Sequence, residues 1–532
     1  MLKLTAKILL ISFVVSVPAQ ASETTTYCKQ KTSSYKDLYE QNVHSELVNQ
    51  LDLSRLGRKI FRKPLRSANA NVFDEVADSA LFTNRHARTA LSSEQLVKGY
   101  SENEGPDVSQ DLVVMSGEMA GLHPSYFVKD ARGDSYLLKF DSAESPELAT
   151  AAEVIASRFY FALGYNVPQY TVTIIPSDKL KAGSGAKFRD DSGFLKELTQ
   201  ESLDEYLLFA PQTADGSFRV SASKIISGES KGFFSLTGRR KNDPEDIVNH
   251  RDRREIRALS VFSAWINNTD VSESNTLDVL VTENGKTFLK HYLIDFNSSL
   301  GSAHRGAKSP MFGHEYTADF GEAAKAFLTL GFWEKPWQKR WREAGEKVNQ
   351  SSAVGYFDNR ELNPRKYKTQ LPYETFKRLT RADGFWAAKQ IMAFHDNEIR
   401  ALVSAGKLTS PENAETISKI LIERRDLIAK HWLSSANSLD DFKVESGKLI
   451  FTDLVVNYPS ERAEARSYQV NVLGAKNKVK QKISVSGTEI AIDPNWFQNN
   501  QPVTLDVRSG DKAAFVRVTL NPDSVLSIRH QD

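Results

Sequence analysis

The sequence predicts an α+β protein that combines several units along one chain. Strand-like runs precede a long helical pattern within residues 106–240, a hairpin pattern interrupts the mainly helical stretch 241–437, and short alternating runs fill 441–532. A length of 532 residues suggests about three or four domains or subdomains. The net charge of +2 is too small to indicate nucleic acid or an anionic membrane as a partner.

The first 21 residues have the pattern of an export signal. Lys3 and Lys7 precede an apolar run from Ile8 to Val17, and Ala19-Gln20-Ala21 fits a cleavage site. We therefore predict a signal peptide over 1–21, with an uncleaved membrane anchor as the alternative. Cys28 is the only cysteine, so no intrachain disulfide can form. A large exported chain without disulfides fits a periplasmic or secreted location after cleavage near Ala21.

Residues 22–105 are predicted to form a mostly helical N-terminal extension. Tyr35 to Leu51 and Leu91 to Tyr100 have helical character, and Gly105-Pro106 marks a boundary. The aromatic residues of this segment stand beside polar ones. We expect the segment to pack on a neighbouring unit.

A charged pair is predicted in the sheet-rich segment that follows. Lys139 lies in the strand Tyr136 to Phe140, which comes after a glycine-containing loop, Ser116 to Pro124. A helix is predicted to begin at Ser145-Pro146-Glu147 and to run to Gly164, where a further strand follows. Glu153 on this helix is one candidate partner for Lys139, and Glu147 is the other.

Two acidic residues and an amide flank the predicted hairpin. Asp270 and Asn275 precede it, Asn284-Gly285 forms its turn, and Asp295 follows its second strand. The hairpin would fold Asp295 back toward Asn275. Phosphoryl transfer requires a carboxylate near the acceptor hydroxyl and hard oxygen ligands for magnesium. These residue types therefore indicate metal-dependent phosphoryl transfer.

The order Asn268-Thr269-Asp270, Asn275 and Asp295-Phe296 resembles the catalytic segment of atypical protein kinases. HipA-type kinases have the same Asn-Thr-Asp motif with Asn five positions after Asp, and phosphatidylinositol and secretory-pathway kinases share the broader plan. The chain also resembles a group of uncharacterised exported bacterial proteins over most of its length. Asn297 stands where classical kinases carry glycine. A second kinase-like triplet at His250 is excluded, because Arg257 stands where asparagine is needed and no hairpin follows.

The resemblance implies a two-lobed protein-kinase-like fold. Residues 106–240 would form the small lobe and hinge, and 241–437 the large lobe. Lys139 would bind the phosphates of ATP or another nucleotide, and Glu153 would position Lys139. Asp270 would orient or deprotonate the acceptor hydroxyl, while Asn275 and Asp295 would hold magnesium or manganese. The acceptor could be a protein, a glycan or a lipid.

Two further segments carry no catalytic pattern. Phe327 to Trp341 is rich in aromatic residues, which we expect to pack in the core, with a ligand platform as the alternative. Residues 441–532 are predicted to form an antiparallel, sandwich-like C-terminal β domain. This domain would bind an envelope protein or pack on the large lobe.

A non-catalytic binding function is the main alternative to phosphoryl transfer. A bacterial periplasm is expected to contain little ATP, so a kinase-fold binding protein of the cell envelope would also suit an exported chain. A hydrolase is a weaker alternative, since the sequence has no Gly-x-Ser-x-Gly or His-Glu-x-x-His motif.

Overall fold

The computed structural model describes most of the chain after the predicted signal peptide. The described residues are 27–45, 57, 65–120, 123–190, 192–303, 306–344, 351–456, 466–497, 501–510 and 513–531. The predicted signal peptide, 1–21, lies outside them.

The described part of the N-terminal segment contains little regular structure. Its helical elements of more than one residue are α1 Ser34–Tyr39, the π-helical turn Glu40–Ser45, and α2 Ser93–Lys98. The helices predicted at Tyr35 to Leu51 and at Leu91 to Tyr100 are therefore present where these ranges are described, whereas residues 65–92 and 99–105 are not helical. The physical reason is packing: Leu81 and Phe82 are buried in the main core as irregular chain, where tertiary contacts outweigh helix propensity.

A seven-stranded sheet follows, with strand order β4-β7-β3-β2-β1-β5-β6. The β1 and β5 strands are parallel, and the other neighbouring pairs are antiparallel. Helix α3 contacts β3, β4 and β7. The elements are β1 Leu112–Ala120, β2 His123–Lys129, β3 Ser135–Phe140, α3 Leu148–Leu163, β4 Tyr170–Ile175, β5 Leu180–Arg189, β6 Leu195–Glu197, α4 Gln200–Leu207 and β7 Phe218–Lys224.

One local prediction in this region needs correction. Helix α3 begins at Leu148 rather than at Ser145, and Asp141 accepts hydrogen bonds from the backbone N–H groups of Glu147 and Thr150 at its start. Strand β7 pairs with both β3 and β4, whereas the next strand, Glu229–Gly232, pairs with Thr276–Glu283 in a separate sheet. Residues 225–228 therefore connect the two sheets.

The predicted hairpin is present, and its register fixes the site. Lys286 pairs with Glu283 at the turn, and Leu293 pairs with Thr276 at the far end. Asn284 and Gly285 both have positive φ, as a two-residue type I′ turn requires. The strands of this region are β8 Glu229–Gly232, β9 Thr276–Glu283, β10 Lys286–Leu293, β11 Ser302–Ala303 and β12 Gly306–Ala307.

Helices surround this hairpin. Trp265, Trp386 and Trp432, from α5, α9 and α11, are fully buried in the core that these helices share. The helices are α5 Arg254–Ile266, α6 Phe320–Leu328, α7 Pro336–Ala344, α8 Glu374–Lys377, α9 Arg381–Met392, α10 Asp396–Ser404 and α11 Pro411–Ser435. None of the helices in the described residues is long and apolar enough to span a bilayer.

The C-terminal segment forms two antiparallel sheets around one core. The three-stranded sheet has the order β13-β14-β17, and the five-stranded sheet has the order β16-β15-β18-β19-β20. Leu449 and Ile490 of the first sheet share a core with Val470, Leu505 and Val518 of the second. The strands are β13 Leu439–Glu445, β14 Lys448–Asp453, β15 Tyr468–Leu473, β16 Val479–Val485, β17 Glu489–Ala491, β18 Val503–Ser509, β19 Phe515–Leu520 and β20 Val525–Gln531.

A buried ionic network joins this β unit to the helices. The carboxylate of Asp74 accepts hydrogen bonds from Arg254 at 2.8 Å and from the backbone N–H of His530 at 2.9 Å. Arg254 also pairs with Asp383 on α9, and the ring of Phe385 packs against His530. Burial opposes ionisation, but His530 and Arg254 hold the pKa of Asp74 well below its usual range.

Asp74→Asn should destabilise the protein by about 3–5 kcal/mol at pH 7, because the substitution leaves Arg254 buried with less compensation. Asparagine tolerates the positive φ of Asp74, so the backbone does not confound the comparison. Since the pKa of Asp74 is lowered on folding, its contribution should be lost as the pH falls below about 4. Urea unfolding measures the difference, with the exposed Asp523→Asn as control. Equal free energies of unfolding for the wild type and Asp74→Asn at pH 7 would contradict a stabilising role for this ionic network.

Candidate active site

The structure pairs Lys139 with Glu153. Lys139 lies on β3 and Glu153 on α3, and the Lys139 Nζ to Glu153 Oε1 distance is 2.7 Å. The other oxygen of Glu153 accepts a hydrogen bond from the Ser221 hydroxyl at 2.5 Å. Glu147 lies elsewhere, at the start of α3, where it contacts Thr409. Of the two candidate partners, Glu153 therefore meets the lysine.

Asp295 reaches the same ammonium group from the end of the hairpin. Its Oδ1 lies 2.8 Å from Lys139 Nζ, and its backbone N–H donates to the Tyr170 hydroxyl at 3.0 Å. Burial lowers the pKa of Lys139, but the carboxylates of Asp295 and Glu153 outweigh it and raise that pKa above its usual value. The Lys139 ammonium group therefore links helix α3, through Glu153, to the end of the hairpin, through Asp295.

The hairpin register brings Asn275 beside the segment that holds Asp295. The Ile294 N–H donates to the Asn275 carbonyl at 3.0 Å, directly after the Leu293–Thr276 pair. The Asn275 side-chain amide donates to the backbone carbonyl of Asp270 at 2.8 Å. The structure therefore brings Asp270, Asn275 and Asp295 to one end of the hairpin; the Asn-Gly turn predicted only the return of Asp295 toward Asn275.

The Asp270 side chain is half-buried, and its pKa is raised. Burial raises the pKa of Asp270 to about 6, and the nearby charge of Asp295 adds to this effect. A carboxylate with a pKa near neutral is suited to accept a proton from a hydroxyl group.

Asn275 and Asp295 are the candidate metal ligands at this end of the hairpin. Asn275 and Asp295 offer hard oxygens, the Asp295 side chain is 36% exposed, and the Asn275 side chain is half-buried. Within the described residues, no group of three or more His, Cys, Asp or Glu side chains could hold a metal. An amide and a carboxylate suit magnesium when substrate phosphates and water supply the remaining oxygens. These two residues could therefore hold the metal.

The backbone after Asp295 explains why asparagine can stand at position 297, where classical kinases carry glycine. Asp295 has φ +59°, whereas Asn297 is not among the residues with positive φ, so glycine is not required there. Phe296 is buried; its ring stacks on Tyr160 at 5.1 Å between ring centroids and meets Tyr170 edge-on at 5.7 Å. This packing fixes the chain direction on both sides of Asp295.

The predicted glycine-containing loop is part of a long hairpin. Strand β1 continues to Ala120 and β2 begins at His123, while residues 121–122 lie outside the described chain. A Cβ at Gly117 would lie 2.5 Å from the Tyr126 ring. The absence of a side chain at Gly117 therefore allows the Tyr126 ring to pack against this strand.

Sequence reasoning missed four residues near this site. Ser221 and Tyr170 support Glu153 and Asp295, and their positions follow only from the pairing of β7 with β3 and β4. Lys308 is buried and donates hydrogen bonds to backbone carbonyls of Asn267, Ser298 and Leu300. Asp37 accepts a hydrogen bond from the Glu273 N–H at 3.0 Å. No local pattern in the sequence marks these long-range contacts.

Glu273 is a buried carboxyl group three residues after Asp270. It accepts hydrogen bonds from the Ser235 hydroxyl at 2.7 Å and the Leu236 N–H at 3.0 Å. Burial, to which the charge of Asp37 adds, raises the pKa of Glu273 to about 7. A pKa raised above the unfolded value of 4.5 contributes stability at low pH that is lost as the pH rises through 7.

Glu273→Gln should therefore be more stable than the wild type at pH 8 by about 2–3 kcal/mol. The glutamine oxygen can still accept both hydrogen bonds, and it removes the buried negative charge. At pH 5 the two proteins should be nearly equal. Thermal unfolding at both pH values measures this difference, with the exposed Glu201→Gln as control. An equal gain at pH 5 and pH 8 would show that charge is not the cause.

The aromatic segment Phe327 to Trp341 does not pack in the core as expected. Phe327 is 80% exposed and Phe332 is 90% exposed. Trp333 and Trp337 instead line a cavity of about 820 Å³ in the helical region. The prediction of core packing is wrong because hydrophobicity alone does not distinguish a buried aromatic cluster from a binding surface.

Comparisons with known proteins give matches among solved structures only. No family model matches the sequence, and no curated protein matches it. The crystal structure of the Helicobacter pylori proinflammatory kinase CtkA is 12% identical, covers 58% of this chain and 91% of its own, and has a TM-score of 0.29.

Two structures of the Golgi casein kinase also match. One is 9% identical, covers 76% of this chain and 91% of its own, and has a TM-score of 0.31. The other, with Mn/ADP bound, is 10% identical, covers 75% of this chain and 90% of its own, and has a TM-score of 0.29. Likenesses with such low TM-scores do not assign a function to this chain. The resemblance to HipA-type kinases and to exported bacterial proteins stays a prediction.

Proposed function

We propose that this chain is an exported, kinase-like phosphotransferase that moves a phosphoryl group from a nucleotide to a hydroxyl acceptor. One observation carries the proposal: the Lys139 ammonium lies 2.7 Å from Glu153 and 2.8 Å from Asp295, across the sheet and the hairpin. A lysine held by a helix carboxylate, next to a possible metal ligand, is the arrangement that kinases use to bind and orient nucleotide phosphates.

Each residue has a distinct task in this proposal. Lys139 binds the nucleotide phosphates, and Glu153, itself held by Ser221, keeps its ammonium in place. Asn275 and Asp295 would hold magnesium or manganese, which supplies charge neutralisation at the phosphates. Asp270 accepts the proton of the acceptor hydroxyl or orients that hydroxyl for attack.

The half-buried Asp270 favours chemistry over simple binding. Its pKa of about 6 leaves it largely ionised at neutral pH but still basic enough to take a proton. Export to the periplasm or beyond is part of the proposal and is supported by the pattern of residues 1–21. The acceptor is a protein, glycan or lipid that carries a hydroxyl group.

A metal-dependent thermal shift tests nucleotide binding. ATP with magnesium or manganese, at about a hundredfold excess over its Kd, should stabilise the wild-type protein by about 2.7 kcal/mol. Asp295→Ala should lose this stabilisation, while the exposed Asp523→Ala should keep it. ADP with manganese serves as a non-reactive probe. No shift with any nucleotide and either metal would overturn the proposal and leave a non-catalytic envelope binding protein.

A further inference from the structure

An exposed apolar ridge stands on the helical region. We define the ridge as Phe327, Leu328, Leu330 and Phe332, at the end of α6 and in the turn after it. Their exposures are 80%, 79%, 86% and 90%. In the described chain only Tyr35, Leu208 and Ile247 among the other large apolar side chains are more than 70% exposed, and helix α6 has no buried residue. A contiguous exposed apolar group of this kind marks an interaction surface.

The cavity beside the ridge carries an excess of basic side chains. Nine Lys and Arg side chains and four Asp and Glu side chains line it. Four of the basic side chains pair with carboxylates: Lys325, Lys335, Arg360 and Lys368. Lys308 and Arg424 are buried, donate to protein oxygens, and have their pKa lowered by burial, so they are not the cations offered to a ligand. The exposed Arg365 and Lys366 are therefore the cavity residues that can attract an anionic ligand.

The ridge and the cavity share one wall. Trp333, next to the ridge residue Phe332, lines the cavity, and Lys325 lies over its ring at 5.4 Å. Lys335 and Trp337 follow, and both contact the Glu315 carboxylate at 2.5 Å. The ridge and the cavity therefore meet at Trp333.

The residue types in this wall are those of a membrane interface. Trp333 and Trp337 line the cavity, and the ammonium groups of Lys325 and Lys335 lie over their rings. Amphipathic segments with Trp, Phe and Leu beside Lys and Arg lie in the boundary between headgroups and acyl chains. Basic side chains near the surface add attraction to anionic lipids.

We propose that this wall docks on an anionic phospholipid surface, with the ridge in the acyl boundary and a lipid headgroup phosphate in the cationic cavity. The low net charge of the chain does not oppose this, because the attraction comes from the local excess of cations in the cavity. An anionic phospholipid can contact both the cavity and the ridge, since it joins an anionic phosphate to apolar chains. A purely apolar protein partner would leave the cavity's charge unmatched.

Vesicle sedimentation tests the docking with the mature chain and no nucleotide, so its result is independent of the proposed phosphotransfer. The wild type should bind vesicles of equal parts phosphatidylglycerol and phosphatidylcholine at least about tenfold more tightly than vesicles of phosphatidylcholine alone. The triple variant Phe327→Ser, Leu328→Ser and Phe332→Ser should weaken this binding at least about tenfold.

Two further variants separate charge from apolar contact. Arg365 and Lys366 line the cavity and are exposed, so Arg365→Gln with Lys366→Gln should fold normally and weaken binding about tenfold. The matched control is Leu208→Ser with Phe209→Ser, an exposed apolar pair after α4, which should bind like the wild type. Circular dichroism checks the folding of each variant.

Three outcomes would overturn the proposal. The first is no binding of the wild type to either vesicle, and the second is equal binding to both. The third is a ridge variant that separates wild-type oligomers into monomers in ultracentrifugation while vesicle binding is unchanged. That result would identify the ridge as a contact between copies of this chain.

Discussion

Asp270→Asn should lower the rate of phosphoryl transfer by about 10²–10⁴-fold and leave nucleotide binding unchanged. Asparagine keeps the size of the side chain but cannot accept the acceptor's proton. Because the side chain at position 270 is only half-buried, loss of its charge should not destabilise the fold. Transfer of labelled phosphate from ATP measures the rate, and the thermal shift with ATP and manganese measures binding.

The pH profile gives a second readout of the same residue. Burial raises the pKa of Asp270 to about 6, and a divalent cation bound at Asp295 would lower it, so the wild-type rate should fall on the acid side of about pH 6 as the carboxylate becomes protonated. The residual rate of Asp270→Asn should not show this fall at acid pH, whereas the rate of the exposed variant Asp523→Asn should show it. A wild-type rate that persists in Asp270→Asn at every pH would exclude Asp270 as the base.

Lys139→Met should lower kcat/KM by at least about a hundredfold, because the nucleotide phosphates lose their main cation. The substitution also leaves Glu153 buried beside Asp295 without its ammonium partner, so a stability cost of about 3–5 kcal/mol should accompany the loss of activity. Lys129→Met is the matched control, since Lys129 is an exposed lysine on the neighbouring strand β2.

A double variant separates folding from chemistry at this position. Lys139→Met with Glu153→Gln removes both buried charges, and glutamine can still accept the Ser221 hydrogen bond. Its stability should recover relative to the single variant, while its activity should stay low. Recovery of activity together with stability would show that Lys139 acts only through the fold.

The parts of the site that sequence reasoning could predict depend on local geometry. Asn284-Gly285 requires a tight turn, and that turn sets the register that carries Asp295 back to Asn275. Lys139 and Glu153 stand on consecutive elements, so their approach needs only the packing of α3 on the sheet. The hairpin, the return of Asp295 toward Asn275 and the approach of Lys139 to Glu153 could therefore be predicted from the sequence.

The parts that could not be predicted depend on long-range packing. Leu81 and Phe82 lie in irregular chain that packs in the main core, and no local pattern in the sequence indicates this burial. Ser221 and Tyr170 reach the site through pairings that join distant strands. The exposure of Phe327 and Phe332 depends on what the segment packs against, which hydrophobicity in the sequence does not report.

Anomalous diffraction from crystals grown with manganese and ADP tests the central claim most directly. The proposal predicts one manganese peak at about 2–2.5 Å from oxygens of both Asn275 and Asp295, with Lys139 on the nucleotide phosphates. A manganese peak away from the hairpin, or a nucleotide bound without contact to Lys139, would contradict the proposed site.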